Sequence, residues 1–393
     1  MQSVAEKDTS LLAAHPASVV GYGQMCTRCV MDMSAQGIIF DDIGVCNYCT
    51  DFLRKYSDIQ KSGAKYLAFQ SDFIAQIKRD GVGKKYDCIV GVSGGVDSSY
   101  VLYLAIECGL RPLAVHLDNG WNSELATHNI SNLVSQLAVD LYTHVIDWEE
   151  NRDLQRAFID AHVVDIELLM DNAMLSLNYS QASKYGLKYI LSGNNFATEG
   201  MRMPEGWYQH KFDKYNIRQI HKRFGVQKIK THKCISTLDY VWYEFFRKIR
   251  RVPFLDYFSY NKAEALKILE EEVGYKPYPY KHYESIFTRF YQAYILPRKF
   301  GYDKRKVHLS SLVVSNQMTR DEALELLSMP VYSDPQQEKS DYFYVLKKLG
   351  FSEQEFSNYI NSPAISHAFY GSERSFSDFL VKIYKVVKRL RYA

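Results

Sequence analysis

The run Ser93-Gly94-Gly95-Val96-Asp97-Ser98 combines residue types that hold anions without a charged side chain. Two glycines let the backbone approach a ligand closely, and two serines offer hydroxyls. The amides of a helix that starts here would stand unpaired at the positive end of its dipole. With Val92 in front, the run predicts a phosphate cradle, and Asp97 adds a hard oxygen ligand suited to the Mg2+ that accompanies phosphates. Neither G-x-x-x-x-G-K-[ST] nor G-x-G-x-x-G can be read, so the Walker and dinucleotide loops are excluded.

A cradle of this kind needs a strand on one side and a helix on the other. Residues 86–92 are rich in β-formers, and residues 99–105 carry apolar side chains at helical spacing. Further strands are predicted at 112–117, 141–146 and 187–192, with helical stretches at 98–108, 123–138 and 152–185. Such alternation predicts an α/β fold, a doubly wound parallel sheet covered on both faces, whose ligands bind at the carboxyl ends of the strands. Two more strand ends are polar. One reads His116-Leu117-Asp118-Asn119-Gly120, the other Ser192-Gly193-Asn194-Asn195-Phe196-Ala197-Thr198-Glu199.

Four of the seven cysteines form Cys26-x-x-Cys29 and Cys46-x-x-Cys49, sixteen residues apart. Four thiolates at this spacing suit a tetrahedral Zn2+ with no position left for water, hence a structural metal site. Cys88, Cys108 and Cys234 are scattered. The first two fall in a strand and a helix, as small buried apolar residues do, and Cys234 follows the basic stretch 228–233.

Between residues 278 and 311, His282, Glu284, Arg289, Lys299 and Arg305 lie among many tyrosines, a composition suited to an anionic, hydroxyl-rich substrate. The chain holds 31 Tyr and 21 Phe, many of them after Tyr240. That half is predicted to be helical and able to line a groove.

The glycine run resembles the loop of the N-type ATP pyrophosphatases, the PP-loop superfamily, whose members cleave ATP between its α- and β-phosphates. Taken with the cysteine pairs, the Gly-Asn-Asn-Phe-Ala-Thr-Glu turn and the His-Tyr-Glu-Ser to Lys-Phe-Gly-Tyr-Asp-Lys-Arg stretch, residues 25–329 resemble the N-acetyl sugar amidotransferases of WbpG/PseA type. That resemblance implies a PP-loop fold of adenine nucleotide alpha hydrolase-like type. It also implies bacterial surface-polysaccharide biosynthesis, including lipopolysaccharide O-antigen, in which an acetamido group on an aminouronic or nonulosonic acid becomes acetamidino. On this reading Val92, Ser93, Gly94, Gly95, Val96, Asp97, Ser98, Gly193 and Asn194 would meet pyrophosphate, and His116 and Asp118 the nucleoside. Asp97 and Glu199 would hold Mg2+, and Asp97, Ser98, Glu199, His282 and Glu284 would form the catalytic set. Arg289, Lys299 and Arg305 would bind the sugar. Ammonia is expected from a separate HisH-like glutaminase, since residue 2 is Gln and neither Cys88 nor Cys108 sits on a nucleophile turn.

The chain is divided into a flexible lead at 1–22, a zinc module at 23–60, the PP-loop domain at 61–235, a substrate-binding region at 236–318 and C-terminal helices at 319–393. The last of these helices is expected to pack by Leu380, Ile383, Val387 and Leu390. Forty-eight basic against 45 acidic residues give a net charge of +3, which does not favour nucleic acid. No apolar run approaches bilayer length, so a cytoplasmic protein is expected. Two other readings stay open: a tRNA-thiolating PP-loop enzyme using Cys234, and a non-catalytic zinc and nucleotide-binding protein.

Overall fold

The computed structural model describes residues 23–59, 64–278, 283–332 and 334–392. The lead at 1–22 and His282 lie outside the described residues. The chain enters through α1 (Asn47–Ile59) and α2 (Ala64–Asp80), then alternates strands and helices. These are β1 (Cys88–Gly91), α3 (Val96–Glu107), β2 (Pro112–Asp118), α4 (Glu124–Gln136), β3 (Leu141–Val145), α5 (Trp148–Asp160), α6 (Leu168–Lys184) and β4 (Tyr189–Ser192). Next come α7 (Phe196–Glu199), α8 (Lys214–Phe224), α9 (Thr237–Val241), β5 (Arg250–Pro253) and α10 (Lys262–Val273). The C-terminal part is helical: α11 (Ile286–Phe290), α12 (Arg305–Val314), α13 (Arg320–Ser328), α14 (Pro335–Leu349), α15 (Glu353–Asn361) and α16 (Arg374–Tyr392).

The five strands form one parallel sheet in the order β3-β2-β1-β4-β5. Its side chains obey the two-residue period. Cys88, Val90, Ala114, Tyr189 and Leu191 enter the core shared with α3, α4 and α10, while Ile89, Leu113, Val115, Leu117 and Ile190 enter the core under α6. Helices therefore cover both faces. The chain winds outward from β1 to β3, then returns to place β4 on the other side of β1, so the strand order reverses between β1 and β4. Such a reversal opens a crevice at the carboxyl ends of those two strands.

Three expectations change. The unit built on the sheet does not end at 235, because β5 pairs Tyr189↔Arg250 to Ser192↔Pro253 and completes the sheet as an edge. Residues 152–185 are not one helix. α5 stops at Ala161, His162 takes φ 53°, and α6 begins at Leu168, where it is buried on most of its circumference. On α16, Leu380 is half-buried as expected, but Ile383 is 44% exposed; the side chains of Val387 and Leu390 lie outside the described residues. Among the described residues, no helix is long and apolar enough to cross a membrane.

Candidate active site

The glycine run occupies the turn between β1 and α3. Gly95 is the N-cap of α3 and provides no side-chain cap, which leaves the amides of the first turn directed at the crevice. Ser98 Oγ ties the loop together, accepting from the Ser93 amide at 3.2 Å and donating to the Gly95 carbonyl at 3.1 Å. Gly94 adopts φ +84°, and a Cβ there would also meet the backbone of Ala126 at 3.1 Å. The resulting peptide orientation is held from outside the loop: the hydroxyls of Tyr275 and Tyr278 both donate to the Gly94 carbonyl, at 2.9 and 3.0 Å.

A cavity of about 620 Å³ opens at this point. Ser93, Gly95, Val96, Asp97 and Ser98 form one side, and Ser192, Gly193, Asn194 and Glu199 from the end of β4 form the next. Glu284 reaches in beside the loop, its Oε1 3.8 Å from where a Gly95 Cβ would stand. Its segment is stitched to the turn after β2: Ser123 N–H donates to the Glu284 carbonyl at 2.9 Å and Ile286 N–H to that of Trp121 at 3.0 Å.

Four carboxylates (Asp97, Asp171, Glu199, Glu284) and three cations (Lys211, Arg251, Lys262) share the cavity wall. Asp97 Oδ1 accepts from the Tyr260 hydroxyl and Oδ2 lies 3.9 Å from Lys262 Nζ. Burial and the Asp97 charge push the Tyr260 phenol far above its usual range, so it remains a donor. Glu199 Oε2 accepts from Asn194 Nδ2 at 3.0 Å, and Asn194 Oδ1 is in turn held by Ser192 and Arg251. Asp97 and Glu199 thus present hard oxygens on adjoining walls beside an amide cradle, a donor set that fits Mg2+ accompanying a polyphosphate.

The other expected residues are placed elsewhere. Val92 is fully buried in the core. His116 is buried as well; its Nδ1–H donates to the Val92 carbonyl at 2.9 Å and its Nε2 accepts from Asn122 at 2.9 Å, so it positions the loop from beneath. Asp118 accepts from Gly120 N–H at 2.9 Å in an Asx turn and does not line the cavity. The three proposed sugar-binding cations are committed internally. Arg289 is buried in a bidentate pair with Asp341 at 2.6 and 2.7 Å; Lys299 donates to the carbonyls of Tyr359 and Ser362; Arg305 pairs with Asp303 and caps carbonyls at the end of α13. Burial lowers Lys299 to about 8, and none of these three lines the cavity. Tyr260, Lys262, Tyr275 and Tyr278 were not singled out individually. Their one signal was the tyrosine density after Tyr240, of which only Tyr278 lines the cavity.

Cys234 lies 3.3 Å from the Nδ1 of His232, which is buried, while Cys234 itself is partly buried. Burial pushes the thiol up to about 12 and the imidazole down to about 4, the reverse of an activated nucleophile.

The second centre is N-terminal. The Sγ atoms of Cys26, Cys29, Cys46 and Cys49 lie within 4.8 Å of one another and all four residues are buried. Cys26–Cys49 and Cys29–Cys46 separations of 3.8 Å match the edge of a tetrahedron with Zn–S of about 2.3 Å. Cys26 Sγ also accepts from the amides of Arg28, Cys29 and Cys46, as a thiolate does. These residues fit Zn2+. The module packs on the site: Phe52 of α1 lies 4.7 Å from Phe196, the first residue of the short helix that carries Glu199.

Glu284, on the cavity wall, is also the first residue of a family match. Residues 284–390 match the family described as LPS biosynthesis protein WbpG-like, C-terminal domain. The resemblance read from the motifs holds over this WbpG-like segment. Parts of the chain also resemble two solved structures. One is NMN synthetase from Francisella tularensis, 16% identical, covering 55% of this chain and 98% of that one with a TM-score of 0.25. The other is the NH3-dependent NAD synthetase from Campylobacter jejuni subsp. jejuni NCTC 11168 in complex with the nitrate ion, 18% identical, covering 53% and 82% with a TM-score of 0.28. No curated protein matches the chain.

Proposed function

We propose that this protein is an ATP-dependent amidotransferase of surface-polysaccharide biosynthesis that converts the acetamido group of an anionic sugar into an acetamidino group. The observation that carries the reading is Glu284, which brings the WbpG-like segment into the same cavity as the glycine cradle.

An acetamide oxygen is a poor leaving group, so exchange for nitrogen requires activation. The carbonyl oxygen attacks the α-phosphorus of ATP, and the electron pair of the broken P–O bond leaves with pyrophosphate. Ammonia adds to the carbon of the resulting imidate, AMP departs with the C–O electron pair, and a proton is lost to give the amidine. The loop amides with Ser93 and Ser98 would hold pyrophosphate, while Tyr260 and Lys262 fix Asp97. Mg2+ held by Asp97 and Glu199 would offset phosphate charge. Glu284, beside Gly95 on the cavity wall, is the candidate to receive the ammonia proton. Ammonia is assigned to a HisH-like glutaminase partner, a reading supported by the neutral state of the Cys234–His232 pair. That state also weighs against thiolation through Cys234.

The test incubates the chain with ATP, Mg2+, ammonium and UDP-linked 2-acetamido uronic acids or N-acetylated nonulosonic acids. AMP, pyrophosphate and a sugar whose mass falls by the O-to-NH difference are expected, and glutamine alone should not replace ammonium. If no acceptor elicits AMP, the proposal is wrong.

A further inference from the structure

The cavity extends away from the cradle along α6, where nothing above assigns a ligand. Asp171, Met174, Leu175 and Asn178 recur at helical spacing and form one wall, and Phe212 also lines the cavity. Asn178 is unusual among them. It is 93% buried by its 7% exposure, it lines the cavity, and its Oδ1 has no hydrogen-bond partner among the described residues. Its amide presses on the last residue of β1, since a Cβ on Gly91 would stand 2.8 Å from Asn178 Nδ2. Gly91 is two residues from Ser93, so this amide adjoins the phosphate cradle.

A buried amide oxygen without a partner lowers stability and calls for a reason, and its place on the cavity wall makes a bound ligand one. Its neighbours narrow the ligand. Met174 and Leu175 are apolar and sit one turn from Asn178, so the wall offers a methyl-sized apolar contact beside an amide hydrogen-bonding group. That pairing complements an acetamido group, with its methyl and N–H.

Resting on the amidotransferase reading, we propose that this α6 wall is the acetamido subsite: Asn178 accepts from the acceptor's amide N–H, and Met174 with Leu175 covers its methyl. The subsite replaces the Arg289–Arg305 stretch as the place of acceptor selection.

The experiment uses the full chain with methyl-13C methionine, the Met174 signal being assigned through Met174→Leu. The probe is 2-acetamido-2-deoxyglucuronic acid, compared with its deacetylated amine. The acetamido probe should shift the Met174 methyl and the amine should not. Asn178→Leu should weaken probe binding by about tenfold or more, with the melting temperature close to wild type, because Oδ1 has no hydrogen-bond partner among the described residues. Asn178→Asp keeps the acceptor oxygen and should retain more affinity than Leu. Probe binding that leaves Met174 unmoved, or survives Asn178→Leu, overturns the subsite while sparing the amidotransferase reading. Wild-type protein that binds no acetamido sugar and forms no AMP overturns both.

Discussion

A methyl group on Gly193 would stand 2.9 Å from the backbone nitrogen of Ser98. The turn after β4 and the first turn of α3 therefore touch through backbone alone, and the distance between two cavity walls is set by a missing side chain. Gly193→Ala should push these walls apart, raise KM for ATP and lower kcat/KM about tenfold or more, an effect of about 1.4 kcal/mol. Steady-state pyrophosphate release measures it; kinetics equal to wild type would refute the contact's importance.

Tyr260 and Lys262 converge on Asp97 from the start of α10. Tyr260→Phe removes one bond without changing shape. Its expected signature is a higher Mg2+ requirement and a fall in kcat of about tenfold, with the melting temperature close to wild type. Titrating Mg2+ at saturating ATP separates this from a general loss of folding.

Arg289 should behave as a structural residue. Arg289→Ala leaves Asp341 buried without its partner and should destabilise the fold by about 3–5 kcal/mol. Lys at this position cannot restore the bidentate pair and should rescue only in part. Urea midpoints report the loss, whereas KM for the acceptor in the folded fraction should not change.

Acid should weaken the fold through two buried imidazoles. His232 and His367 are each pulled down to about 4, chiefly by burial. The bonding of His367 needs a neutral ring, since its Nε2 accepts from the Asp165 amide and its Nδ1–H donates to Asn216. The unfolded chain binds these protons near pH 6.5, the folded chain only near 4. Stability is therefore complete above about pH 6.5 and falls as pH drops towards 4, by about 1.4 kcal/mol per pH unit for each imidazole. Unfolding midpoints between pH 7 and 4.5, compared for wild type and His367→Gln, check the slope; equal slopes would exclude His367 as a contributor.

One Zn2+ per chain is expected by elemental analysis of the native protein. Cys29→Ser should release it and loosen the contact of Phe52 with Phe196, so the Mg2+ requirement should rise even though Cys29 does not line the cavity.

Much of the site was legible because the relevant residues are contiguous. The β1 turn, the β4 turn and the cysteine pairs each carry their chemistry in a few adjacent positions, and apolar strands announced the sheet. What escaped has physical reasons. β5 reads Arg-Arg-Val-Pro, four residues with little apolar signal, tolerated because an edge strand accepts proline. The break between α5 and α6 falls in a segment without Gly or Pro, where His162 takes the left-handed conformation instead. Arg289, Lys299 and Arg305 misled because composition records charge but not its partner, and their partners come from Asp341, two backbone carbonyls and Asp303.

The clamp on Gly94 also fixes when the protein can first work. Tyr275 lies 181 residues downstream of the carbonyl it holds. During synthesis the glycine cradle stays unfinished until the chain has grown past α10, so a ribosome-bound fragment ending at the sheet would carry the motif without the clamp that shapes it. Nor could that fragment be lifted out as a portable cassette: the loop is encoded in one place and given its shape from another.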